Sequence, residues 1–286
     1  MSTPNNPTSQ LPDRLRTMLQ ERIDTNLELP LQSKTSADVL ALSSQDDCDV
    51  QGLSELIERD QSLAGHVLGV ANSAAYAPLE PIVSLQQAVS RLGVGVIAEI
   101  SIALSLKGKV FDVPGYDTLI RDMWIHAAAS AVYAKEIARV MRCNVEGAFM
   151  CALLHDVGRP LVLQNMVDMA RAQTDHEVPA GILEAAMNEF HEHVGDKMVT
   201  HWDLPEWMGD VVANHHDYMQ AGDHKDVAMI VALADSLATW ALDENSDSND
   251  FDSNLDVVDD LNLYADEINS LTEMRDQILE GAEAFL

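Results

Sequence analysis

From "PDRLRTMLQERI" near one end to "EINSLTEMRDQIL" near the other, the apolar residues of this chain return every three or four positions. In the first stretch Leu15, Met18, Leu19 and Ile23 follow Pro12 with the spacing of an amphipathic helix. No convincing run of alternating β-branched residues closes on an Asn-Gly-type turn, so strands are not expected. The pattern constrains the chain to an all-α fold. "SADVLALSS", "DVQGLSELIERD" and "QSLAGHVLGVANSAAY" predict three short helices, the second with Leu53, Leu56 and Ile57 on one face. "SLQQAVSRLGVGVIAEISIALSL" predicts a longer, nearly all-buried helix, where Gly93 and Gly95 mark a break or a close helix contact.

The Pro-Gly turn in "FDVPGYDTL" places a boundary between two lobes. The expected organisation is an N-terminal extension and helix (1–24), a helical lobe (25–115), a second helical lobe (116–240) and an acidic loop with a C-terminal helix (241–286). Periodicity in the second lobe predicts helices at about 117–141, 145–155, 160–174, 179–188, 191–202, 205–218 and 225–241. The tail after Trp240 holds fourteen Asp or Glu against one Arg, and its beginning is expected to be a mobile loop. "LNLYADEINSLTEMRDQILEGAEAF" returns to helical spacing and is expected to dock back on the body. There is no internal repeat.

With 286 residues, 47% of them hydrophobic, the chain has enough apolar mass for one large domain or two modest ones. Its net charge of −30 repels phosphate backbones and anionic lipid, so nucleic acid and membrane are not expected partners. The same charge also serves solubility. Cys48, Cys143 and Cys151 form no CxxC pattern and read as reduced thiols. "MSTPNNPTSQ" lacks the basic and apolar regions of a signal peptide. Leu92–Leu106 is too short, and too interrupted by Glu99, to span a bilayer. The expected location is the cytoplasm.

Several polar residues sit at odd places. In "DTLIRDMWIHAAASAVYAKEIA", His126 falls at the flank of an apolar stripe, with Asp122 one turn earlier on the same side. "ALLHDVGRPL" sets His155 and Asp156 together inside an apolar run, just before Gly158. "NEFHEHVGDKMVTHW" offers His191 and His193, only one of which can face inward. "WMGDVVANHHDYM" puts His215 on the face of Met208, Val211 and Val212, with His216 at its flank. Asp235 interrupts the apolar helix "VAMIVALADSLATW". Taken singly, each is satisfied by a separate hydrogen-bond partner in a core. One or two divalent metals would satisfy them all together. Imidazole and carboxylate without thiolate suit Fe, Mn, Co, Ni or Mg better than a structural zinc.

The ordered set His126, His155-Asp156, His191, His215-His216 and Asp235 resembles the ligand series of the HD superfamily of metal-dependent phosphohydrolases. "LIERDQSLAGHVLGVANSAAY", "PIVSLQQAVSRLGV", "FHEHVGDKMVTHWDLPEWM" and "ANHHD" extend the resemblance, over about 25–240, to the HDOD subfamily. The resemblance implies a two-lobed helical HDOD/HD-like domain. It also implies membership of a subfamily that has often lost metal ligands and serves bacterial signalling as a regulatory or interaction module. Here the ligand positions are filled, and Asp122 stands where the related HD-GYP phosphodiesterases carry a further acidic ligand. Two departures count against cleavage of cyclic dinucleotides. Arg159 replaces the lysine after the His-Asp pair, and "HHDYMQAGDHK" replaces the GYP segment.

Two functions remain open on the sequence. In the first, the protein hydrolyses a nucleotide or other small phosphoester. Asp156 bridges two metals that activate water, Arg159 forks onto a phosphate oxygen, and His224 or Lys225 assists. Arg159 reads equally well as a surface charge at a helix start. In the second, the chain is a non-catalytic signalling module that binds a protein partner and holds a structural or vestigial metal site. An open metal position facing solvent separates the two.

Overall fold

The computed structural model describes residues 10–29, 34–43, 48–73, 76, 81–107, 113–173, 178–246 and 251–284. The first nine residues, His176 and residues 247–250 of the expected acidic loop lie outside them. Among the described residues every regular element is helical.

Helices α2 (Lys34–Ser43), α3 (Val50–Ile57), α4 (Gln61–Ala71), α5 (Leu85–Leu92) and α6 (Val94–Lys107) pack on one another as the first lobe. Asp49 caps α3 by accepting from the amides of Gln51 and Gly52, and Asp60 caps α4 through Ser62 and Leu63. The long helix expected at 84–106 is two helices. Gly93 takes φ +84, a left-handed backbone costly to any other residue, and α5 and α6 meet at 108°. Gly95 supplies the close contact: a Cβ there would stand 2.9 Å from Glu146 Cγ.

The second lobe is built on α7 (Asp117–Met141), α8 (Val145–Leu154), α9 (Gly158–Gln173), α10 (Ala180–His201), α11 (Glu206–Ala213) and α12 (Lys225–Leu242). α9 and α12 lie within two residues of expectation, and three other helices differ in ways that shape the site. α10 is one helix where two were expected, because "EF" between the two segments holds no Gly or Pro to stop it. α11 ends at Ala213, not 218. Asn214 leaves the helical region (φ −132, ψ 19) and its side-chain amide turns back to donate to the Asp210 carbonyl. α8 stops one residue short of His155.

The lobes meet where α6 packs on α8. There Lys135 on α7 donates to both carboxylate oxygens of Glu99 on α6, at 2.9 and 3.3 Å, and lies over the Phe149 ring. The Glu99 side chain is 1% exposed. Burial raises its pKa, opposed by the Lys135 charge.

The N-terminal helix α1 (Asp13–Thr25) makes its side-chain bonds to the second lobe. Arg16 pairs with Glu189, and Arg22 donates to Asn165. At the other end, α13 (Asp256–Asp260), α14 (Ala265–Glu273) and α15 (Arg275–Ala284) return to the body, with α15 lying along α7. Arg275 fastens this return by donating to the carbonyls of Ala241, Asp243 and Ser246 while stacking over Trp240. No single helix among the described residues is long and apolar enough to cross a membrane.

Candidate metal centre

Three histidines reach the interior of the second lobe with their rings oriented by the backbone. His155 caps α8 and its Nδ1 donates to the Ala152 carbonyl at 2.7 Å. His191, midway along α10, donates from Nδ1 to Met187 at 2.9 Å. His215, in the turn after α11, donates from Nδ1 to Val212 at 2.8 Å. Each ring spends one N–H on a carbonyl of the preceding turn, so in its neutral form Nε2 is a bare lone pair. All three residues are at most 1% exposed.

Those lone pairs lack protein partners. Nε2 of His155 is buried with no hydrogen bond. Nε2 of His191 and Nε2 of His215 face each other at 3.3 Å. Two lone pairs so placed repel unless a cation lies between them. Two nitrogens each about 2.1 Å from one ion, at an angle between square and tetrahedral, stand about 3.0–3.4 Å apart. The spacing fits a shared divalent metal.

Carboxylates complete the donor set. Asp156 sends Oδ1 to within 3.4 Å of His191 Nε2 and Oδ2 to within 3.6 Å of His155 Nε2, so its two oxygens serve different histidines. Asp235 Oδ1 accepts from His126 Nε2 at 2.9 Å and lies 3.8 Å from His155 Nε2. The donors form overlapping groups: His126, His155 and Asp235 on one side, His191, His215 and His216 on the other, and His155, Asp156 and His215 between them. The local packing that allows this is tight. A Cβ on Gly158, at the start of α9, would stand 2.2 Å from the His191 carbonyl oxygen, so only glycine lets α9 rest against α10 there.

The protonation states follow from burial set against charge. Burial pushes the Asp156 carboxyl up, but His155, Arg159 and His191 outweigh it and hold the pKa below the ordinary value. Asp235 is also held low against burial, chiefly by the hydrogen bond from His126. Burial pulls His191 down to about 4 and His215 well below its usual value. For His126 burial acts downward, yet the bond and charge of Asp235 raise it overall.

One pH prediction follows for the metal-free protein. An unfolded histidine takes up its proton near pH 6.5, whereas folded His191 does so near pH 4. Between those values the unfolded chain binds more protons, so stability falls as the pH falls. His126 and the raised carboxyls of Glu99 and Glu192 act in the opposite sense, but the larger depressions of His191 and His215 outweigh them. Below the ordinary carboxylate range the depressed Asp156 and Asp235 add to the loss. The urea midpoint of chelator-treated protein is expected to be lower at pH 5 than at pH 7. An equal or higher midpoint at pH 5 would contradict this assignment.

The site opens on one side into a cavity of about 950 Å³. His126, Asp156, His216 and Asp235 line its floor, with His155, His191 and His215 packed beneath. Arg159 lines it too, with Nε 3.3 Å from Asp156 Oδ2 and a second nitrogen donating to Asn188 Oδ1. Asp122 is on the cavity wall one turn from His126, outside these donor groups. His224 and Lys225 are not on that wall, and His224 packs against Trp207. His193 turns away to pair with Asp24. Asn188 and Glu184 line the cavity and were missed in the sequence. The spacing 184, 187, 188, 191 on one uninterrupted helix would have shown them on the His191 face.

The family model of the HDOD domain matches residues 29–218. The chain belongs to the HDOD domain family. Its fold is similar to that of a Shewanella amazonensis SB2B protein designated a candidate metal-dependent phosphohydrolase. The TM-score is 0.76 at 19% identity, over 96% of this chain and 98% of that one. An HDOD domain protein with unknown function from Geobacter sulfurreducens superposes with a TM-score of 0.70 at 22% identity, over 94% and 96% of the two chains. These identities show a shared all-helical HDOD architecture. An uncharacterized protein of Treponema pallidum is 22% identical over 229 residues, covering 77% of this chain. This HDOD chain spans 44% of the length of that curated relative.

Proposed function

We propose that this HDOD protein is a metal-dependent phosphohydrolase acting on a small phosphoester. The observation that carries the reading is the set of buried Nε2 lone pairs, one orphaned and two opposed at 3.3 Å, at the floor of an open cavity. His126, His155, Asp235 and one oxygen of Asp156 would hold one divalent cation. His191, His215, His216 and the other oxygen of Asp156 would hold a second. Such cations supply Lewis acidity and lower the pKa of bound water.

The chain's own residues do the rest. The three Nδ1–H bonds fix the rings of His155, His191 and His215, so these three donors need no rearrangement to bind. Asp156 and Asp235 are kept ionised by their neighbours, as ligation requires. Arg159 is held over the floor by Asp156 and Asn188, which leaves guanidinium N–H groups to take a phosphoryl oxygen. The acidic surface favours a small phosphorylated ligand over polymeric nucleic acid. A cytoplasmic location agrees with the reduced-thiol composition.

The test is turnover of p-nitrophenyl phosphate and bis(p-nitrophenyl) phosphate by protein loaded with Mn or Fe. Arg159→Ala is expected to keep its metal and lose about ten- to a hundredfold in kcat/KM, the worth of a charge-assisted hydrogen bond. Metal-loaded wild type that turns over neither ester, nor any member of a phosphoester panel, would contradict the proposal and favour the signalling-module reading.

A further inference from the structure

The cavity above the metal centre is a trough between two helices, and its walls change character with height. On α7 the residues at 126, 123, 122 and 119 face it in turn, with Tyr116 just before the helix, and on α10 those at 191, 188, 187, 184 and 183 follow one face. At 1.5 Å rise per residue, Glu184 stands about 10 Å from the level of His191, and Asp122 about 6 Å from that of His126. The floor therefore carries the metal donors, with Arg159 and Asn188 at its edge. Above it, Leu119 and Met123 face Leu183 and Met187 across an apolar section.

Charge in that upper section has one sign. Asp122 and Glu184 line its solvent-exposed rim, and among the described residues neither side chain has a hydrogen bond or ion pair. Arg159 is the single Lys or Arg among the described lining residues, and it is committed to the floor through Asp156 and Asn188. A phosphoryl group at that height would meet two carboxylates and no Lys or Arg among the described residues. An apolar body would be accepted by the leucines and methionines. A positive group at its far end would find Glu184 and Asp122.

We infer that the cavity selects a phosphate monoester whose alcohol portion is apolar and carries a cationic group several atoms from phosphorus, with Glu184 as the residue that reads the cation. The phosphoryl group sits on the floor against Arg159, and the ammonium end reaches the level of Glu184. Polyphosphates and dinucleotides are disfavoured. This inference rests on the phosphoester reading above.

Binding rather than turnover tests it. Manganese-loaded full-length protein, its metal content verified, is titrated calorimetrically with inorganic phosphate, phosphocholine and 3,3-dimethylbutyl phosphate. The second and third ligands share shape and differ by one positive charge. Phosphocholine is expected to bind about tenfold or more tightly than its neutral isostere, a difference of about 1.4 kcal/mol. In Glu184→Gln the phosphocholine-to-isostere ratio is expected to fall to within about threefold. A wild-type ratio near one, with phosphate bound, overturns the inference while leaving the phosphoester reading intact. A ratio unchanged in Glu184→Gln overturns the role of that residue. Failure of metal-loaded protein to bind phosphate at all overturns the phosphoester reading itself, and this inference with it.

Discussion

Adding Mn2+ to chelator-treated protein is expected to raise its Tm by about 10 °C or more. Without metal, the second lobe buries an unpaired His155 Nε2 and sets two further lone pairs against each other. Each buried, unsatisfied polar atom costs about 1–3 kcal/mol. A ligand at a thousand times its Kd adds about 4 kcal/mol of stability, and about 2–4 °C accompanies each kcal/mol in a domain of this size. One tightly held ion therefore reaches the expected shift, and two exceed it. Asp156→Asn is expected to abolish most of the rise, since its two oxygens reach both donor groups. The assay is thermal unfolding with and without metal. A shift under about 2 °C, or an equal shift in Asp156→Asn, would contradict a shared site.

Lys135→Met is expected to destabilise the protein by about 3–5 kcal/mol, although the substitution is far from the proposed chemistry. The methionine fills much of the lysine's volume, so packing loss is small. What remains is Glu99, 1% exposed on α6 and deprived of its cation. Its pKa, already raised by burial, would rise further. A folded-state acid with a raised pKa binds more protons than the unfolded chain, so the penalty shrinks as pH falls through that pKa. The double variant Glu99→Leu/Lys135→Met is expected to recover most of the loss, because a well-packed apolar pair replaces an ion pair with little cost. Urea unfolding of the three proteins at pH 7 and pH 5 checks both parts. A single variant within 1 kcal/mol of wild type would mean that Glu99 finds another partner or opens to water.

Much of the second lobe was legible because burial and chemistry coincide there. His126, His155, Asp156, His215 and Asp235 each broke an apolar pattern, and each lies at the donor cluster. His215 reaches the cluster by a route other than the expected helical face: it sits in a turn, where its Nδ1–H bond to Val212 aims the ring inward. Splitting α10 at the two histidines hid Glu184 and Asn188, which share the His191 face only if the helix runs through. Long-range polar pairs left no local trace. Glu99 registered as an interruption of an apolar run, but Lys135 lies 36 residues away on another helix. The docking of α1 on α9 and α10 through Arg16, Arg22 and Asp24 was equally invisible, since exposed charges on an amphipathic helix read as solvated.

The most direct test is elemental analysis of the purified protein beside the His155→Ala/Asp156→Ala double variant. The account predicts about two equivalents of a transition metal in the wild type and near none in the variant, with helical circular dichroism retained. Wild type that holds no metal after supplementation with Mn and Fe would contradict the metal centre and leave the buried histidines as packing residues alone.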